Sequence, residues 1–218
     1  MGIKSVVLLP AREQVASALR DAILNGEFEE NEAITLEEIA NRMGVSKMPV
    51  REAFQILERE GLVTLQPNKG ARVIGTTYDT IKNQYEVRAA LETEVVHLIC
   101  EKENFDFQTI DELNDLFEVT IDNTTGAFSQ ADYNLQFHGA LWKDCGNQYL
   151  ANLLTQIVIG VSMTDKRFMM DDAHKVLKAH RAIIDACKKR DKVKAKELIY
   201  EHIMDSCENR IKVLRETK

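Results

Sequence analysis

The sequence predicts a mainly α-helical protein in two parts: a winged helix-turn-helix domain over residues 1–76, then a bundle of six helices over residues 77–218. Three observations predict it. Apolar residues recur at helical spacing through most of the chain. The β-prone runs, Leu62 to Leu65 and Ala71 to Ile74, lie together around the turn residues Gln66-Pro67-Asn68-Lys69-Gly70. Charge is unevenly spread, since 28 Lys and Arg against 35 Asp and Glu leave a net of −7. Residues 41–75, however, hold Arg42, Lys47, Arg51, Arg59, Lys69 and Arg72 against Glu52, Glu58 and Glu60, a local balance of +3. Binding to nucleic acid requires cations that displace phosphate counterions, and this island has the right sign.

From Arg12, the residues Val15, Leu19, Ala22 and Ile23 form a helical stripe that Gly26 ends. After the acidic connector Glu27 to Glu32, Thr35 with Glu38 three residues later reads as a capping box. Leu36, Ile39, Ala40 and Met43 then give a short helix ending at Gly44. Gly44, Val45 and Ser46 lead into a third helix that Ser46 is placed to cap. Pro49 is tolerated there because first-turn amides have no helical acceptor, and Val50, Phe54 and Leu57 supply the stripe until Gly61. Two helices joined by three residues make a helix-turn-helix, and the hairpin that follows makes it winged.

Beyond Gly75-Thr76-Thr77, long amphipathic segments are predicted at about 78–103, 108–122, 127–144, 148–169, 173–190 and 192–215. The breaks between them fall at Asn104-Phe105, Asn123-Thr124-Thr125-Gly126, Gly146-Asn147, Asp171-Asp172 and Asp191. Six helices in this length form one bundle with one core.

A content of 44% hydrophobic and 29% charged residues is that of a globular chain with a sizeable core. No apolar run approaches the roughly eighteen residues of a membrane span, and the opening MGIKSVVLLP lacks a cleavage site, so a cytoplasmic protein with no membrane partner is expected. Cys100, Cys145, Cys187 and Cys207 show no C-x-x-C spacing and read as reduced core residues.

The run Gly44-Val45-Ser46-Lys47-Met48-Pro49-Val50-Arg51-Glu52-Ala53, with Leu57-Glu58-Arg59-Glu60-Gly61-Leu62-Val63 and Asn68-Lys69-Gly70-Ala71-Arg72-Val73, resembles the winged-helix domain of GntR-family transcriptional regulators. The second part resembles the FCD effector domain of that family's FadR-like branch. It does so through Tyr85 to Glu92, Asn134 to His138, Gly146-Asn147, His180 to Ala186 and His202-Ile203. In such a domain Ser46, Lys47, Met48, Pro49 and Arg51 occupy the turn that reaches base edges, where an arginine fork bonds both acceptors of a guanine. Asn68, Lys69, Gly70 and Arg72 belong to the wing, whose tip resembles the family's minor-groove or backbone contact. Glu37 and Lys47 both stand where relatives commonly carry arginine, so the operator cannot be borrowed from them.

His138, His180 and His202 lie on apolar stripes of three different predicted helices. Each alone reads as a core histidine; the resemblance implies that with Asn134 they hold a divalent metal, zinc first, with nickel or manganese as alternatives. Asn134 replaces the family's aspartate, so the expected ligand set carries no negative charge. Arg88 resembles the arginine facing the family's ligand cavity, and a guanidinium suits a carboxylate; its other reading is an intrahelical pair with Glu92 or Glu86. His174 sits too near a helix start to be favoured as a ligand, and His97 reads as structural.

The expected function is a DNA-binding transcriptional regulator, a repressor in the first reading and not an enzyme. It binds an inverted-repeat double-stranded operator as a homodimer and senses a small carboxylate. The alternative is a metal-dependent hydrolase using the three histidines, for which Asp132 and Asp165 are the remote candidates for a general base.

Overall fold

A computed structural model describes residues 10–24, 26–67, 69–74, 77–123, 129–161 and 173–217, with the side chains at 24, 123, 159–161 and 217 left aside. The predicted break at Asp171-Asp172 and the candidate residues Asn68 and Asp165 lie outside the described residues. Contacts divide the chain into two compact units, Met1–Thr76 and Thr77–Lys218.

The first unit contains helices α1 (Ala11–Leu24), α2 (Leu36–Met43) and α3 (Lys47–Arg59) and strands β1 (Ala33–Ile34), β2 (Val63–Gln66) and β3 (Gly70–Val73). Val15, Leu19, Val50, Phe54, Leu57, Val63 and Val73 close a core between the helices and the sheet. Thr35 accepts the Glu38 N–H at 3.1 Å, and Gly44 ends α2 in the left-handed region at φ 65°, both as the sequence indicates. Ser46 stands at the N-cap of α3 but makes no side-chain capping bond. The reason lies in the sequence: the third helical position, a usual donor to such a cap, is Pro49, which has no N–H. Arg20 closes the unit with a fork on Glu60, at 2.8 and 2.6 Å, tying α1 to the end of α3.

The sheet has a third strand that the sequence pattern does not show. β1, which lies between the Glu27–Glu32 connector and the Thr35 cap, pairs antiparallel with β3, Ala33 opposite Arg72 and Ile34 opposite Ala71, giving the order β1-β3-β2. Two residues carry no readable alternation, so only the partner reveals the strand. This pairing explains Gly70. Its φ is +107°, and a Cβ there would lie 2.2 Å from the Ile34 carbonyl oxygen. Gly70→Ala is expected to destabilise the winged unit by about 1–3 kcal/mol through strain and loss of the β1 contact. Thermal unfolding of the purified protein checks this, and an unchanged melting profile would reject the crowding argument.

The second unit is α4 (Tyr78–Glu101), α5 (Gln108–Asn123), α6 (Gln130–Asp144), α7 (Gln148–Val161), α8 (Ala173–Lys188) and α9 (Lys192–Thr217). The two longest, α4 and α9, pack along each other. A reciprocal Thr77–Thr80 capping box starts α4. Val95, Val96, Phe137, Leu141, Leu154, Ile183, Ile199 and Ile203 belong to a core drawn from all six helices, to which α5 contributes Ile110. Phe117 of α5 joins a separate cluster with Tyr133, Val176 and Leu177. Along its other edge α5 faces α8 through ion pairs: Asp111 with Lys188, and Asp115 and Glu118 with Arg181. Exposed pairs of this kind are individually weak, so the aromatic contacts carry most of its docking.

All four cysteines are free and buried, and burial pushes the Cys100 and Cys187 thiols up, as expected of inert core residues. Among the described residues no helix is long and apolar enough to cross a membrane.

Candidate functional site

In the first unit, the short turn brings the start of α3 to the surface beside the wing. Ser46, Lys47, Met48 and Arg51 are exposed, as are Lys69 and Arg72, whereas Pro49 and Gly70 are half-buried. Arg51 borders a cleft of about 420 Å3 shared with Gln55 of α3 and Gln66, Pro67 and Gly70 of the hairpin. The cations of the basic island are not equivalent. Lys47 is paired with Glu37 at 3.2 Å, Arg42 stacks over Phe28, and Arg72 donates to the Asn31 carbonyl. Arg51, Arg59 and Lys69 have no carboxylate partner among the described residues. The island's carboxylates are occupied, Glu60 by Arg20 and Glu58 by the Leu65 N–H. The face therefore offers a guanidinium on the recognition turn and an ammonium on the wing, while Arg72 braces the β1 connector.

In the second unit, α6, α8 and α9 each contribute one imidazole to a single point. His138 and His180 are fully buried and His202 is 6% exposed. The His202 Nε2 lies 3.3 Å from the His138 Nε2 and 3.1 Å from the His180 Nε2, and donor atoms of all three fall within 4.8 Å of one another. The His180 ring is stacked on Phe137 at 3.7 Å, which fixes its plane. Burial lowers the pKa of all three: His202 to about 3, with help from His138 and Arg88, and His180 well below its usual value. They are neutral imidazoles with lone pairs to offer.

A carboxylate that the sequence reading placed only as a partner of Arg88 completes the site. Glu92 of α4, fully buried, accepts from the Arg88 Nε at 2.6 Å with one oxygen and contacts the His138 Nδ1 at 2.6 Å with the other. Burial alone would raise its pKa, yet the opposing pull of His138 and Arg88 holds it down to about 2. A charged Glu92 makes Nδ1 of His138 the protonated nitrogen and leaves Nε2 a bare acceptor. The Arg88–Glu92 pair was legible as an i, i+4 spacing; the Glu92–His138 contact spans 46 residues and was not.

These facts test whether the residues fit a metal. With His138 Nε2 bare, one hydrogen on His202 or His180 satisfies only one of the two close nitrogen contacts, whereas a cation engages all three lone pairs. A tetrahedral centre with bonds of about 2.0–2.1 Å keeps its donors roughly 3.3 Å apart, close to the 3.3 and 3.1 Å by which the His202 Nε2 is separated from the other two imidazoles. Asn134, one helical turn before His138, has a buried Oδ1 with no hydrogen-bond partner among the described residues, an unmatched oxygen on the helix that carries the first imidazole. A carboxylate accepting from the distal nitrogen of a ligating histidine is the usual outer support of such a site. The donor set fits a divalent ion.

Arg88 is 3% exposed, and only its Nε is bonded; its two terminal nitrogens have no protein partner among the described residues. The other histidines stay apart: His174 is exposed near Asp122 at 3.8 Å, and His97 faces Glu101 at 3.6 Å. Asp132, a remote candidate base, is exposed at the start of α6 and accepts from Ser129.

Residues 11–73 match the family model described as bacterial regulatory proteins, gntR family, and residues 83–205 match the FCD domain. Over 208 residues the chain is 30% identical to the HTH-type transcriptional regulator YdhC of Bacillus subtilis, covering 94% of this chain and 93% of that one. It is 26% identical over 190 residues to the gluconate operon transcriptional repressor of Bacillus licheniformis, covering 82% and 76%. Among solved structures, E. coli McbR/YncC aligns with a TM-score of 0.67 at 19% identity, over 97% of this chain and 100% of that one, a likeness of fold. These matches lend nothing to the hydrolytic alternative.

Proposed function

The chain belongs to the GntR family of transcriptional regulators and carries an FCD domain, and from that premise we propose that it is a metal-assisted carboxylate sensor controlling an inverted-repeat operator as a homodimer. A repressor is favoured because the similar Bacillus licheniformis protein bears that name. In this reading the first unit binds DNA through Ser46, Lys47, Met48, Pro49 and Arg51 on the recognition turn and Asn68, Lys69, Gly70 and Arg72 on the wing, and the second unit senses the ligand and forms the dimer.

One observation carries the ligand class: a guanidinium buried to 3% exposure, its Nε fixed by Glu92 and its terminal nitrogens without a protein partner among the described residues. Leaving such donors unmatched in a desolvated place is costly, and a carboxylate matches their fork. His138, His180, His202 and Asn134 would hold a divalent metal, zinc first with nickel or manganese as alternatives, whose chemistry here is to attract an anion. Glu92 keeps His138 in the ligating tautomer and holds Arg88 beside it. Phe137 keeps the His180 ring from turning.

The test is a thermal-shift series of small mono- and dicarboxylates with and without zinc, alongside selection of bound duplexes from a random pool. A ligand at 100 times its Kd stabilises the protein by about 2.7 kcal/mol, which such a screen detects. The expected result is a carboxylate whose stabilisation depends on metal, is lost in Arg88→Leu, and alters binding to selected duplexes with two-fold symmetric half-sites. A full shift in Arg88→Leu, or selected sites without symmetry, would reject the corresponding part of the reading.

A further inference from the structure

Three imidazoles buried under helices need a way in, and the surface between α8 and α9 contains a cleft that ends on one of them. It has a volume of about 110 Å3 and is lined by Lys175, Val176 and Ala179 on α8 and Leu198, Glu201, His202 and Asp205 on α9. His202 is the one imidazole of the three with any exposed surface. Its Nε2 is turned to the other two rings, and its Nδ1 has no protein partner among the described residues. At the mouth, Glu201 is exposed and Asp205 is bridged to Lys175 at 3.4 Å, with more than half of both side chains in solvent.

We propose that this cleft is the passage by which a divalent cation enters and leaves the three-histidine site, with Glu201 and Asp205 as transient ligands and the Lys175–Asp205 pair as its latch. The proposal rests on the metal-site reading above. Its lining supports it: a cation moving from solvent to the imidazole exchanges water for protein donors, and two carboxylates at the mouth supply oxygens for that exchange. The wall beyond them is an imidazole, a better donor for a late first-row ion, so the transfer runs inward. Lys175 opposes the cation and occupies Asp205, but an exposed pair of this kind is weak enough to open often. His180, by contrast, is covered by Phe137 and Tyr133, and Tyr133 in turn by Phe117 of α5.

The passage predicts rates that move without affinity. Full-length protein stripped with a chelator is mixed with zinc, and association is followed by competition with a fluorescent chelator; release is followed with the chelator in excess. In the double variant E201Q/D205N, entry and release should both slow by about tenfold, the lower end of what charged clefts contribute to ion capture, with Kd unchanged within about threefold. Lys175→Gln should accelerate both. Arg181→Gln, which removes the Asp115 and Glu118 ion pairs between α5 and α8, should leave both rates as they are. Unchanged rates in the double variant, or a change in release with entry untouched, would overturn the passage. Faster exchange in Arg181→Gln would move the route beneath α5 and also overturn it. If the wild-type protein takes up no zinc at all, the three-histidine reading falls and the passage with it, an outcome distinct from uptake with unaltered rates.

Discussion

Glu92→Gln weakens zinc binding by about 10- to 100-fold, the range that loss of an outer-sphere partner produces at histidine sites. The glutamine has the right shape and its carbonyl can still accept from the His138 Nδ1. It lacks the charge that raises the donor strength of that ring, and its amide group turns an N–H toward the Arg88 Nε, which now bonds Oε1 at 2.6 Å. Removing one member of a buried ion pair also costs about 3–5 kcal/mol of stability, since Arg88 is left charged without its partner. Arg88→Met/Glu92→Gln separates the two effects. It removes the stranded charge and recovers stability, while zinc affinity stays low because His138 still lacks a carboxylate. Chelator competition, with circular dichroism to confirm the fold, decides it. Wild-type affinity in folded Glu92→Gln would show that this carboxylate serves only to bury Arg88.

Glu92 also changes the electrostatics expected from the ligand set. Three imidazoles and an amide offer an incoming cation no negative charge, and on sequence grounds the effector has to supply it. The structure places a charge one hydrogen bond behind His138, shared with Arg88. A carboxylate that draws on Arg88 leaves more of the Glu92 charge for His138. On the proposed reading, metal and effector would then strengthen each other through a protein group as well as through their opposite charges.

Arg51→Ala costs about 1–3 kcal/mol on the selected operator and flattens preference at one symmetric position, as loss of a bidentate base contact does. Its guanidinium is exposed at the recognition turn, and no carboxylate among the described residues competes with the base for it. Lys69→Ala weakens all duplexes alike and lowers the salt slope by about one. Lys47→Ala has less effect than Lys69→Ala, because Glu37 already neutralises that ammonium at 3.2 Å. Fluorescence anisotropy on specific and random duplexes at several salt concentrations measures all three. An equal loss on both duplexes for Arg51→Ala would remove it from base reading.

Much of this molecule is local, and local order is what a sequence displays. The stripe Leu36, Ile39, Ala40 and Met43, the Thr35 cap, the Gly44 stop and the turn residues around Pro67 each act within four or five positions. The helices of the first unit and the two hairpin strands could therefore be placed from the sequence, and so could the segments that became α4 to α9. The three histidines were legible as members of apolar stripes, and the resemblance joined them into one set. What required the tertiary structure was every relation between distant residues. β1 is two residues long and exists because β3 presents a free edge, and that edge is why position 70 is glycine. Ser46 fails to cap because the chain three residues on has no amide hydrogen, a fact present in the sequence but outweighed there by the preference of serine for the position. Glu92 had a sufficient local partner in Arg88, which hid its second partner 46 residues away. The side chains that give the site its charge and line the cleft beside it are set by how α4, α6, α8 and α9 pack, because a helix fixes the face on which a residue lies, and only the neighbouring helix decides what that face meets.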